Sequence, residues 1–203
     1  MRSAARPSLH VLVAVTALLA LAGVGLAQAL PSGNPANALV KLPIDDYAYD
    51  DAKGCRKHPM RGTVALQRWL DSNAAGVSWG IMRCSKLGAG NYSLHAEGRA
   101  LDWHLDARSA ADRRAADRLI KLLLAPDRAG NPHALARRMG IQEIIWNCHS
   151  WWSGSEGMDK YSQCFHENGK KKRNVNHTLA HNDHIHFGLS WRGARKRTTF
   201  WSR

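Results

Sequence analysis

Apolar positions along the chain fall into short periodic runs. From Thr63 to Asn73, Val64, Leu66, Trp69 and Leu70 recur at helical spacing behind Thr63, which reads as the cap of a core-packing helix. Val77 to Cys84 and Arg99 to Leu105 read as strands separated by the Gly88-Ala89-Gly90 loop. A second helix is expected from Ser109 to Leu124, with Leu119, Ile120, Leu123 and Leu124 on one side and Pro126 beyond its end. A short helix from Pro132 to Met139 stops at Gly140, Ile141 to Trp146 is β-rich, and His184 to Leu189 is the last strand. Several strands follow one another without a helical crossover, so the fold class is α+β, a small and mainly antiparallel sheet flanked by helices.

The N-terminal pattern is of another kind. Arg2 and Arg6 precede an apolar run from Val11 to Leu26 and the small-residue site Ala27-Gln28-Ala29, the order of a secretory signal peptide over residues 1–29. The run is shorter than the ~18 residues of a spanning helix. Residues 30–52, with Pro31, Gly33 and Pro35, read as a linker, and residues 53–203 as one domain. Export places the protein in the cell envelope or outside the cell. There the four cysteines, Cys55, Cys84, Cys148 and Cys164, fit two disulfides; three connectivities exist, and proximity favours Cys55 with Cys84 and Cys148 with Cys164. The net charge of +13, concentrated at Lys170–Arg173 and Arg192–Arg197, would attract anionic wall polymers. It is not organised as a nucleic-acid module, so no specific nucleic acid is expected as a partner, and the chain is read as a monomer.

Candidate chemistry sits in two segments. In Ser93-Leu94-His95-Ala96-Glu97-Gly98-Arg99-Ala100-Leu101-Asp102, a loop histidine and a strand carboxylate can meet across the turn at Gly98. In His181-Asn182-Asp183-His184-Ile185-His186, alternate residues of an extended strand put His184 and His186 on one face. Two histidines and one carboxylate suffice for a catalytic zinc, Zn2+, which keeps a fourth position open. His104, two residues after Asp102, shares its face and is a candidate supporting or substitute ligand. His58, His149, His166, His177 and His181 are assigned to surface or packing roles, and Trp103, Trp146, Trp151 and Trp152 to the core or a cleft wall.

The pattern Ser-x-His-x-x-Gly-x-Ala-x-Asp from Ser93 to Asp102, followed by acid-x-x-His from Asp183 to His186, resembles the zinc D-alanyl-D-alanine carboxypeptidases. Their superfamily includes D-Ala-D-Ala dipeptidases, phage L-alanyl-D-glutamate endopeptidases and the hedgehog amino-terminal domain. The resemblance implies a zinc metallopeptidase acting on peptidoglycan peptide, with His95, Asp102 and His186 as metal ligands. It further implies Ser93 supporting that shell, Arg83 stabilising the oxyanion, and Asp183 as general base with His184 as the other candidate. Asp183 is preferred, which requires the last strand to begin at about His184. Met82 stands where relatives often carry an aromatic residue. Carboxypeptidase is the first expectation for the bond cut and endopeptidase the second. A non-catalytic wall-binding module keeping the same fold is the alternative, and a secreted nuclease the weakest reading.

Overall fold

A computed structural model describes residues 29–202 except 85, 89 and 90; the signal peptide read over residues 1–29 lies, but for Ala29, outside them. In chain order the elements are α1 (Arg61–Asn73), β1 (Val77–Gly80), β2 (Lys86–Gly88), β3 (Asn91–Tyr92), β4 (Ala100–His104), α2 (Ala110–Leu124), α3 (Ala134–Met139), β5 (Ile141–Trp146), β6 (His149–Trp152), β7 (Asp159–Lys160), β8 (His184–Leu189) and α4 (Trp191–Ala194). Short 3-10 helices span Pro35–Leu39 and Leu94–Glu97. The expected α+β class is what forms: a six-stranded sheet in the order β1-β4-β8-β5-β6-β7, every pairing antiparallel, with a separate β2-β3 ribbon.

Strand alternation sorts the sheet into two faces. Leu101 and Trp103 of β4, Ile185, Phe187 and Leu189 of β8, and Ile144 and Trp146 of β5 belong to one buried cluster, joined by Leu66 and Leu70 of α1 and by Leu119 and Leu123 of α2. Each such side chain, fully buried, contributes about 1.5–3 kcal/mol. The other face carries Asp102, His184, His186 and Glu143. α2 forms where expected because Ser109 caps it, its hydroxyl accepting from the Asp112 N–H, and because its apolar residues recur every three or four positions. Thr63 does not cap α1, which begins two residues earlier; its hydroxyl donates instead to the Gly98 carbonyl. β1 stops at Gly80, short of the expected Cys84, and the next carbonyl, Ile81 O, faces a histidine ring rather than a strand.

Residues 30–52 have little regular structure, in keeping with their proline and glycine, but they do not hang free. Asp45 is buried and accepts from the Thr199 backbone N–H and hydroxyl. Asp50 is pinned on every side: its N–H donates to Gln142 Oε1, its carbonyl accepts from Arg99 and Gln142, and its carboxylate accepts from the Trp191 N–H. Arg99, fully buried, is the hub. It pairs with Glu97 at 2.7 Å and also donates to the Leu189 carbonyl. Disulfides join Cys55 to Cys84 and Cys148 to Cys164, the pairing that proximity favours. They fit an oxidising compartment, and no helix among the described residues is long and apolar enough to cross a membrane.

Removing the Arg99 side chain leaves Glu97 buried without its cation. Arg99→Leu is therefore expected to cost about 3–5 kcal/mol in denaturant unfolding and to open residues 45–53 to limited proteolysis; unchanged stability with a protected strap would show that the hub is dispensable.

Candidate metal centre

The two sequence segments meet at the middle of the sheet. β4 and β8 pair with Asp102 directly opposite His186 and His104 opposite His184, so these four side chains share one face. His95 arrives from outside the sheet, on the 3-10 helix 94–97. Ser93 caps that helix, its hydroxyl accepting from the His95 backbone N–H at 3.3 Å. Gly98 ends it in the left-handed region, φ 67°, where a Cβ would also lie 2.8 Å from Pro59 Cα.

Three ligand atoms converge. His95 Nε2 lies 3.0 Å from Asp102 Oδ1 and 3.2 Å from His186 Nδ1, and that nitrogen lies 3.0 Å from the same oxygen. All three residues are buried. Tetrahedral zinc with bonds of about 2.0–2.1 Å needs ligand atoms roughly 3.3 Å apart, close to this triangle. The tautomers fit as well. His95 Nδ1–H donates to the Ile81 carbonyl at 2.8 Å and His186 Nε2–H donates to Glu143 Oε1 at 2.9 Å, which turns the opposite nitrogen of each ring, as a lone pair, toward the common centre.

Burial pushes His186 down, but hydrogen bonds to Asp102 and Glu143 outweigh it and raise the ring to about 9. Burial likewise opposes ionisation of Asp102, and hydrogen bonds from His186 and His95 reverse it, holding the carboxyl well below the ordinary range. This donor set therefore fits a divalent ion: two imidazoles and a carboxylate presented together, with a second carboxylate behind one of the rings.

The neighbouring residues differ in how they face the centre. His184 points Nε2 inward, 3.5 Å from Asp102 Oδ1, and donates from Nδ1 to Asp183 Oδ1 at 2.7 Å. Asp183 precedes the strand, which begins at His184, but its other oxygen accepts from the Thr178 hydroxyl at 2.7 Å, so both oxygens are engaged. It stands behind His184 and is not among the residues that line the cleft. Arg83 sits at the mouth, its side chain 58 % exposed and its Nη1 3.5 Å from Asp102 Oδ2. His104 is no ligand: its Nδ1–H donates to the Asp183 carbonyl at 2.7 Å and its ring stacks on Trp79, centroids 4.1 Å apart.

Two site residues escape a reading of the sequence. Glu143 appears only as one acid in an apolar strand, and its alternation with Ile144 is the signal that could have found it. Gly188, across the sheet, makes room for it, since a Cβ there would lie 2.5 Å from Glu143 Cγ. His181, assigned to packing, lines the cleft 4.7 Å from the His184 ring; burial first, then the charges of His186 and His184, push it down to about 3. The cleft above the centre holds about 790 Å³. A larger hollow of about 1020 Å³ lies in the loop of Lys160, Phe165, Lys170 and Lys172, away from the ligand group.

An α+β sheet whose central strands gather a buried His/Asp/His group defines a domain able to hold a metal, with a site of the kind found in zinc-peptidase-like domains. The family model described as VldE, C-terminal domain, matches residues 57–177, over half of the chain, and the protein belongs to that family. The match contains His95 and Asp102 and ends before His186. No curated protein and no solved structure matches the chain.

Because His186 must shed its proton to bind a metal, apparent zinc affinity should rise about tenfold per pH unit up to about 9 and level off above it. Glu143→Ala should weaken zinc about 10–100-fold in chelator competition, with Glu143→Gln recovering part of the loss; equal affinities would show that Glu143 does not orient His186.

Proposed function

We propose that this protein is an exported zinc-dependent peptidase that hydrolyses peptidoglycan stem peptides, as a D,D-carboxypeptidase or as an L,D- or D,D-endopeptidase. The observation that carries the reading is the His95, Asp102 and His186 group at the floor of a cleft, with the Nε2 of His184 turned toward the same point. The paired motifs, in order and in one site, favour the peptidase superfamily they resemble.

Zinc held by these three residues would supply a Lewis acid that polarises the scissile carbonyl and makes water acidic. His184 carries the proton from the attacking water to the leaving amine: its Nε2 is open to the cleft, and the Asp183 carboxylate behind it orients the ring and stabilises its charged form. This reverses the preference for Asp183 as the base, because both Asp183 oxygens are already engaged by Thr178 and His184. Arg83, exposed at the mouth of the cleft beside Asp102, would stabilise the oxyanion of the transition state. Ser93 supports the shell through the backbone N–H of His95. The basic loop around Lys170 to Arg173 favours anionic wall polymers as the surface on which the enzyme works.

Purified peptidoglycan digested by the zinc-loaded protein, with products read by mass, tests the reading. About one zinc per chain is expected, lost in His186→Ala. His184→Ala should keep its zinc and lose about 10²–10⁴-fold in kcat, with a smaller loss in Asp183→Asn. Bound zinc without product from any wall type would overturn the peptidase and leave a wall-binding module.

A further inference from the structure

The metal-site residues account for the floor of the cleft but not for one of its walls. That wall comes from the strap of residues 45–53, which precedes the family match and is held by Asp50, by the Lys53 N–H on Glu97 and by a β-bridge between Ala52 and Tyr92. From it Tyr49, 52 % exposed, projects into the cleft and meets Trp152 of β6 edge to face, centroids 5.9 Å apart. Asp51 and Glu143 line the same side.

The electrostatics of this corner run against the rest of the chain, whose net charge is +13. Burial, then the charges of Glu143 and Asp51, push the Tyr49 phenol up to about 12, so both carboxylates bear on its hydroxyl. Glu143, only 6 % exposed, holds His186 through Oε1, and its Oε2 has no hydrogen-bond partner among the described residues. The Asp51 carboxylate, exposed at the rim, has none there either. Arg99, the cation that bears on Tyr49, is fully buried and committed to Glu97, Leu189 and Asp50, while Lys53 and Arg83 also line the cleft and Arg83 is paired with Asp102. Two aromatic rings with the exposed Asp51 carboxylate, and with the Glu143 carboxylate that is shared with His186, form a lining that attracts a compact cation through both the rings and direct charge.

We propose that Tyr49, Asp51 and Trp152 form a specificity subsite for a primary ammonium group at the end of an aliphatic arm of the peptide substrate, closed on the metal side by Glu143. An ammonium offers three donors, enough for both carboxylates and the phenol, while its methylene arm lies against the rings. The inference rests on the peptidase reading and adds to it a demand on the substrate: a diamino residue next to the bond that is cut or one residue removed from it.

The test uses two stem peptides that differ only in whether the side-chain amine of the diamino residue is free or acetylated, each hydrolysed by the zinc-loaded protein. The free amine should be preferred about tenfold or more in kcat/KM, chiefly through KM, which corresponds to at least ~1.4 kcal/mol. Asp51→Asn and Tyr49→Leu should each bring the ratio to within about threefold of one with zinc content unchanged. Equal rates on both peptides, or a preference that survives in both variants, overturns the subsite and leaves the peptidase standing. Failure of the parent protein to cut either peptide removes the peptidase reading and the subsite together.

Discussion

The register between β4 and β8 is the constraint on which the centre depends. A slip of one residue would turn Leu101, Trp103, Ile185 and Phe187 out of the core and bury Asp102 and His186 beneath the sheet, so hydrophobic burial on one face fixes the placement of ligands on the other. Because the two strands are neighbours near the middle of the sheet, flanked by β1 and β5, Asp102 and His186 are supported on both sides by hydrogen-bonded backbone.

Each histidine at the centre has one nitrogen fixed by a partner that can only accept. Ile81 O holds His95, Glu143 holds His186 and Asp183 holds His184, so the other nitrogen of each ring is turned toward one point. Carboxylates stand behind both His186 and His184. The one behind His186 orients a ring of the group that could hold a metal, and the one behind His184 orients a ring whose other nitrogen faces the same point.

The loops that complete the site are held by bonds far apart in sequence. Asn147 and Cys148 both adopt positive φ in the two-residue turn between β5 and β6, and their N–H groups donate to the carbonyls of His181 and Ala180. The Cys148–Cys164 disulfide fastens the turn from the other side, within a small buried cluster that includes Ala180. In this way the loop carrying His181 and Asp183 is docked on a hairpin instead of being left to the solvent. Glu97 and Arg99 do the same for the strap, which means that the segment from Ser93 to Asp102 carries two members of the group that could hold a metal and fastens the cleft wall at once.

The resemblance of two motifs supplied the His95, Asp102 and His186 group; the sequence by itself determined the periodic elements, the paired-face logic of His184 and His186 and the neighbouring cysteine pairs. These are local properties: burial period, capping, and short spacing within one strand or turn. Only the tertiary structure decided that Asp183 stands behind His184, that Glu143 orients His186, that His181 and Tyr49 line the cleft, and that residues 30–52 are packed strap instead of free linker. Glu143 and His186 are 43 residues apart and Asp50 and Trp191 are 141 apart. Alternation puts Glu143 on the face opposite Ile144, but nothing in the periodicity names its partner across the sheet. Such a contact follows from strand order and from buried polar groups that need partners, and both exist only once the chain has closed on itself.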